Sequence, residues 1–243
     1  MKIISPLILV NVFLISLSVL AQPDEKYKTI EPKRFIYKFE LIGGPTLQLP
    51  DDNGFSERLK QSSMGTILTS FNSKYGYSFG AGLAHSLRNR FDIVARVLLE
   101  RKGYIEETSG TNGFKYIGDS KNDYITLNVH PSFFLDRKEN MQIVIGSYFS
   151  WLQGAFRRET SSLNGQTTIT STTNDPNLHS IDFGVTFGAG YSIVVDTKSK
   201  ISFLLLGNYG LNKIININTL TINNNSISFF VTYSRSRFPK QTH

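Results

Sequence analysis

The sequence predicts an all-β protein: an eight-stranded antiparallel up-and-down transmembrane β-barrel, preceded by a cleavable signal peptide. Three observations predict it. Apolar and polar residues alternate with period two through eight long segments. The connections between these segments alternate between short and long. The chain also opens on a short apolar segment of the export type.

In residues 1–21, Lys2 leads an apolar run and Leu20-Ala21 precedes Gln22 and a polar stretch. That order predicts cleavage between Ala21 and Gln22. The apolar run over 3–20 is near the lower limit for a spanning helix, and the small residue at its end favours a cut signal over an anchor. Residues 22–34 are polar, contain Pro23 and Pro32, and read as a periplasmic tether. The barrel is expected over 35–238, with a short polar tail at 239–243.

The first strand alternates Phe35, Tyr37, Phe39 and Leu41 with Lys38 and Glu40. The second sets Tyr75, Tyr77, Phe79, Ala81, Leu83 and Leu87 against Gly76, Ser78, Gly80, Gly82, Ala84 and Ser86. The third sets Phe91, Ile93, Ala95, Val97 and Leu99 against Asp92, Val94, Arg96, Leu98 and Glu100. The fourth, over 125–135, has Ile125, Leu127, Val129 and Phe133 on one face and Thr126, Asn128, His130 and Ser132 on the other. The fifth (141–151), sixth (181–195), seventh (201–211) and eighth (227–233) repeat the pattern. Most exceed the roughly 5–6 residues of soluble strands and suit a tilted crossing of a bilayer.

Three connections are short: residues 88–90, 136–140 and 196–200. The other four are long: about 50–74, 103–123, 157–180 and 212–226. Tight periplasmic turns and long outer loops alternate in this way in an outer-membrane barrel. The apolar residues 214, 215, 217, 220 and 222 suggest that the last hairpin continues beyond the membrane.

Alternation alone does not say which face is inside. A secreted lipocalin-like barrel would turn its large apolar side chains inward around a ligand. An eight-stranded barrel is just wide enough for side chains to fill it, and the Gly, Ser and Thr face suits that width better. Lys38, Glu40, Asp92, Arg96, Glu100 and Asp182 fall on the same small face, with both signs present. They are expected to form a polar network in the lumen. An arginine facing the lipid midplane would cost roughly 2–4 kcal/mol. Tyr75, Tyr77, Tyr104, Tyr124, Trp151 and Tyr191 lie near strand ends and are expected to form interfacial girdles.

Several segments resemble the small outer membrane protein β-barrel domain family, the porin-family or PorT-family barrels. They are Arg96-Val-Leu-Leu-Glu-Arg-Lys-Gly103, Tyr124-Ile-Thr-Leu-Asn-Val-His-Pro131, Asp182-Phe-Gly-Val-Thr-Phe-Gly-Ala-Gly-Tyr191 and Tyr209-Gly-Leu-Asn-Lys-Ile214. The resemblance spans about 35–238 and implies insertion by the barrel-assembly machinery among outer-membrane lipids. That machinery reads an aromatic near the C-terminus, for which Tyr233 and Phe238 are the two candidates. The alternative role that the resemblance implies is that of a PorT-like accessory of a protein-secretion apparatus.

Other motifs have plainer readings. Phe79-Gly-Ala-Gly-Leu83 and Phe187-Gly-Ala-Gly-Tyr191 lack the third glycine and following helix of a nucleotide-binding loop; they leave room for large lumen side chains. The four histidines, His85, His130, His179 and His243, show no metal-ligand spacing. A lipid-modifying barrel enzyme would need a His-Ser-acid set near the outer leaflet, and none is legible, so no catalytic residue, cofactor or metal is expected. The absence of Cys excludes a disulfide scaffold, a thiolate site and an acylated lipoprotein. A formal charge of +7 is dispersed, which suits lipid head groups and not nucleic acid. The Ser-, Thr- and Asn-rich loops 157–180 and 213–226 are the candidate contacts for an envelope or extracellular protein. The expected function is therefore a non-enzymatic barrel with a filled lumen, structural or acting through its outer loops.

Overall fold

A computed structural model describes residues 36–52, 54–88, 90–136, 140–173, 178–196, 198–217 and 220–237. The signal segment with Ala21 and Gln22, the tether, Phe238 and the polar tail lie outside the described residues. Eleven strands follow in order: β1 (Ile36–Asp51), β2 (Ile67–Arg88), β3 (Phe91–Lys102), β4 (Tyr104–Gly110), β5 (Lys115–Phe134), β6 (Met141–Leu163), β7 (Gln166–Thr173), β8 (Ile181–Val194), β9 (Ser199–Gly210), β10 (Lys213–Ile217) and β11 (Leu220–Arg237). Among the described residues one helix, α1 (Phe55–Ser62), lies between β1 and β2.

Eight of the strands close a ring, β1-β2-β3-β5-β6-β8-β9-β11, with every neighbouring pair antiparallel. The first and last strands meet directly, with Tyr37 opposite Arg237 and Asp51 opposite Asn223. Closure leaves the ring no free edge, so every ring strand finds a ladder partner on both sides. At Gly44 and Pro45 the β1–β11 register is interrupted, resuming at Thr46 opposite Ser228. Pro45 has no amide to give the ladder.

The orientation follows from burial. Each ring strand turns a large apolar side chain outward: Phe39, Leu83, Val97, Leu127, Ile145, Phe187, Leu205 and Phe229 are all exposed. A continuous apolar belt of this extent on a protein surface is a lipid-facing one. The lipocalin-like arrangement, with these residues inward, is not the one the chain adopts. The inward face carries the small and polar residues.

The long connections differ from expectation. They are largely strand, not loop. β4 continues β3 past Gly103 and pairs with both β2 and β5. β6 runs on to Leu163 and turns back as β7, while β10 folds onto β11. These extensions are rich in Thr, Ile and Tyr, which favour extended backbone. Both of their faces are largely polar, so the period-two hydrophobic signal fades where the strand does not. The expected extension of the last hairpin is the β10–β11 pair.

Candidate functional site

Two regions carry chemistry: the lumen and the β-structured outer rim. The lumen is filled in layers, which can be read along β1 and β3 together. At the short-turn end the Lys38 ammonium donates to Asp92 at 2.7 Å. Lys38 and Lys200 both sit over the Phe134 ring, at 5.4 and 5.8 Å from its centre. One step further, Arg96 Nε donates to Glu40 at 2.9 Å, and its Nη1 lies 2.8 Å from His130 Nε2. Next comes an apolar layer of Ile42, Leu98, Val144, Leu204, Leu206 and Phe230. Above it, Glu100 accepts from Ser78 at 2.6 Å and from Thr126, and pairs with Lys102 at 3.0 Å.

The outermost lumen layer centres on Asp182. Tyr148 donates to it at 3.2 Å and Asn224 at 2.5 Å, and Gln48 reaches Asn224 in turn. Lys102 lies over the rings of Tyr124 and Tyr148, 5.5 and 5.3 Å from their centres. The mouth is roofed by Tyr104, Ile214, Ile215 and Ile222, with Phe71 and Leu178 against them.

Glycines opposite the large side chains make this filling fit. A Cβ on Gly82 would meet Arg96 Cγ at 2.7 Å, and one on Gly188 would meet Leu206 Cδ2 at 2.6 Å. One on Gly190 would meet Leu204 Cδ2 at 2.3 Å. The near-repeated Gly-Ala-Gly segments therefore supply volume to their neighbours.

All six charged residues expected in the lumen are buried there: Lys38, Glu40, Asp92, Arg96, Glu100 and Asp182. His130, on the small face of the fourth strand, joins them, and so do Lys102, Tyr148 and Asn224, which are not among the residues expected in the network. Lys102 shares the parity of Glu100 on β3, and His130 that of Thr126 and Asn128 on β5, so for these two the alternation already marks the inward face. The apolar layer was also missed, because Ile42, Leu98 and Phe230 look like exceptions when a face is read by its average.

Of the six expected interfacial aromatics, Tyr75, Tyr77, Trp151 and Tyr191 face outward and are exposed. Tyr104 and Tyr124 do not. They are 2% and 1% exposed and belong to the lumen. Tyr124 has the parity of Thr126 and Asn128, which point inward. Tyr104 follows Gly103, where β3 passes into β4; Lys102, Gly103 and Tyr104 are buried in succession, so the alternation breaks there. Tyr233 lies on the outward face of β11, with its hydroxyl 3.1 Å from Ser199 Oγ.

The histidines form no common site. His85 stacks on Tyr37, the His179 amide donates to Ile214, and His243 lies outside the described residues. His130 has Ser132 Oγ 3.3 Å from Nδ1. A guanidinium only donates, so Nε2 accepts from Arg96, which assigns the proton of a neutral ring to Nδ1. Such a ring has no lone pair facing Ser132, and the serine has no base. Among the described residues no group of three or more His, Cys, Asp or Glu is placed to hold a metal ion.

On the outer rim, Arg157 gathers Glu106 (2.5 Å), Glu159 (2.9 Å) and the Tyr116 hydroxyl (2.8 Å). Burial pushes the Tyr116 phenol up to about 12, against the pull of Arg157 and with a further push from the Glu159 hydrogen bond. Asp52 starts α1: its carboxylate accepts from the Gly54 amide at 3.0 Å and the Ser56 amide at 2.9 Å. Burial alone would raise its pKa, but the Ser56 hydroxyl, the two amides and Arg58 outweigh it and hold the carboxyl below its ordinary value. A carboxyl depressed by folding stabilises above its unfolded pKa, and the effect is lost as pH falls through the folded value. Amide exchange protection at Gly54 and Ser56 is therefore expected to hold at neutral pH and to fall away in acid below about pH 4. Asp52→Asn should remove that pH dependence; unchanged acid behaviour in the variant would contradict the assignment.

The family described as outer membrane protein beta-barrel domain matches residues 52–216. No curated protein matches the chain. Among solved structures, Ail, the attachment invasion locus protein of Yersinia pestis, is similar at 11% identity and a TM-score of 0.37, over 83% of this chain and 99% of that one. The outer membrane protein OprG of Pseudomonas aeruginosa is similar at 10% identity and a TM-score of 0.38, over 83% and 96%. The outer membrane protease OmpT of Escherichia coli is similar at 8% identity and a TM-score of 0.38, over 86% and 99%.

Proposed function

The chain belongs to the outer membrane protein beta-barrel domain family, and we propose that it is a non-enzymatic barrel with a filled lumen that acts through its outer hairpins. Its location is the outer membrane. The observation that carries the proposal is the layered lumen. Ion pairs, an apolar layer and an apolar roof occupy the bore from the Lys38–Asp92 pair to Ile215. The outer strands then offer the surface available to a partner, and β7 in particular has every side chain exposed. In this reading residues 1–21 direct export, with a cut between Ala21 and Gln22. The barrel-assembly machinery reads Tyr233 or Phe238.

One experiment tests the outward-acting part. The chain has no Cys, so Thr170→Cys in β7 gives a single thiol. A membrane-impermeant maleimide is expected to label it on intact cells. Labelling only after lysis would overturn the reading. Reconstituted in a planar bilayer, the wild-type barrel is expected to give no sustained conductance steps; regular steps would refute the filled lumen.

A further inference from the structure

The tips of two outer hairpins, β4–β5 and β6–β7, flank an open cleft of about 470 Å³. Phe114 comes from the first tip and the other lining residues from the second. The apolar part of the lining is Phe114 and Leu163. The polar part consists of the amides of Asn164 and Gln166 and the hydroxyls of Ser161, Ser162 and Thr168. None of these side chains carries a charge. The volume falls in the range of small-molecule sites, roughly 300–1,000 Å³.

The lining is held by backbone. Leu163 pairs with Gln166 across a two-residue turn, Asn164-Gly165, with φ of 50° and 83°. Both values are in the left-handed region that such a turn needs, and Asn-Gly is the pair that adopts it most readily. Phe114 is fixed from two sides: its amide donates to the Asn112 side-chain oxygen Oδ1 at 3.2 Å, and its carbonyl accepts from the Gly110 amide at 2.9 Å. The cleft also has room to continue. Thr170 and Thr172 follow Thr168 on the same face of β7, and all are exposed.

We propose that this cleft binds a neutral saccharide. A sugar ring presents an apolar C–H face and a rim of hydroxyls. Phe114 and Leu163 match the first, and the amides and hydroxyls, each able to donate and accept, match the second. The lining itself holds no cation for a sulfated or acidic glycan; the neighbouring Lys115, opposite Ser162, is outside it, so the charged glycans serve as the contrast in the test. The proposal rests on the outward-acting reading above and names the ligand class for it.

The test uses the full mature barrel in detergent micelles, applied to immobilised short neutral hexose oligosaccharides, with sulfated and sialylated glycans and a neutral Thr-rich peptide alongside. Binding to at least one neutral oligosaccharide is expected. Phe114→Ala and Gln166→Ala should each weaken it about tenfold. Their mobility shift between boiled and unboiled samples should match the wild type, which shows that the variants fold. No neutral oligosaccharide bound, binding untouched by both substitutions, or binding to charged glycans or peptide alone would each overturn the proposal. Labelled Thr170→Cys on intact cells with no saccharide bound would overturn the saccharide site and leave the outward-acting reading standing. Absence of surface labelling would overturn that reading itself.

Discussion

Arg96→Met is expected to destabilise the folded barrel by about 3–5 kcal/mol. Arg96 is 3% exposed, and its guanidinium is shared between the Glu40 carboxylate and His130. Removing it leaves a carboxylate inside the bore with its counter-ion gone, and that uncompensated charge dominates the cost. The companion variant Glu40→Gln, Arg96→Met removes both charges. It should recover most of the loss, because what remains is an amide beside an apolar chain. Urea titration of the barrel in lipid vesicles measures both. If the double variant is as unstable as the single one, the pair is not the source of the effect.

The second large effect is expected at the seam. A Cβ on Gly44 would stand 1.8 Å from the Phe229 carbonyl oxygen and 3.1 Å from Phe230 Cα. These are backbone atoms of the closing strand, which cannot turn aside as a side-chain tip can. Gly44→Ala must therefore push β1 away from β11 where Pro45 already interrupts the ladder. A loss of about 3 kcal/mol is expected, visible as a lower temperature for the boiled–unboiled mobility shift. Gly154→Ala is the control, since a Cβ there meets nothing within 4 Å; it should leave that temperature unchanged. Equal behaviour of the two variants would show that the seam tolerates separation.

Much of this architecture is legible in the residues because lipid imposes a simple rule. A ring strand must show lipid its apolar face, so the alternation in Phe39–Leu41 or Val97–Leu99 is uninterrupted and the strand is unmistakable. The rule lapses where the strand leaves the membrane. In Gln166–Thr173 neither face meets lipid or a core, every side chain is exposed, and only β-propensity remains to mark the strand. The lumen was legible in its charges and obscure in its partners. Parity places Glu40, Arg96 and His130 inside, but which of them touch depends on the stagger between strands, and no single strand records that stagger. Tyr104 shows the same limit locally. Its burial follows from the break at Gly103, and the residues around it carry no signal of a lost alternation.

The distribution of partners across the barrel also bears on how it is made. The described lumen ion pairs, Lys38–Asp92, Glu40–Arg96 and Glu100–Lys102, lie on β1 and β3, which share β2 as a neighbour. Two of the side-chain bonds that cross the β1–β11 seam are neutral: Thr46 to Ser228, and Gln48 to Asn224. An open sheet of the first three strands can therefore neutralise these charges among its own members while the C-terminal strand is still unpaired. At Thr46 and Gln48 closing the ring then brings together hydroxyls and amides, while the ions it encloses are already matched with one another.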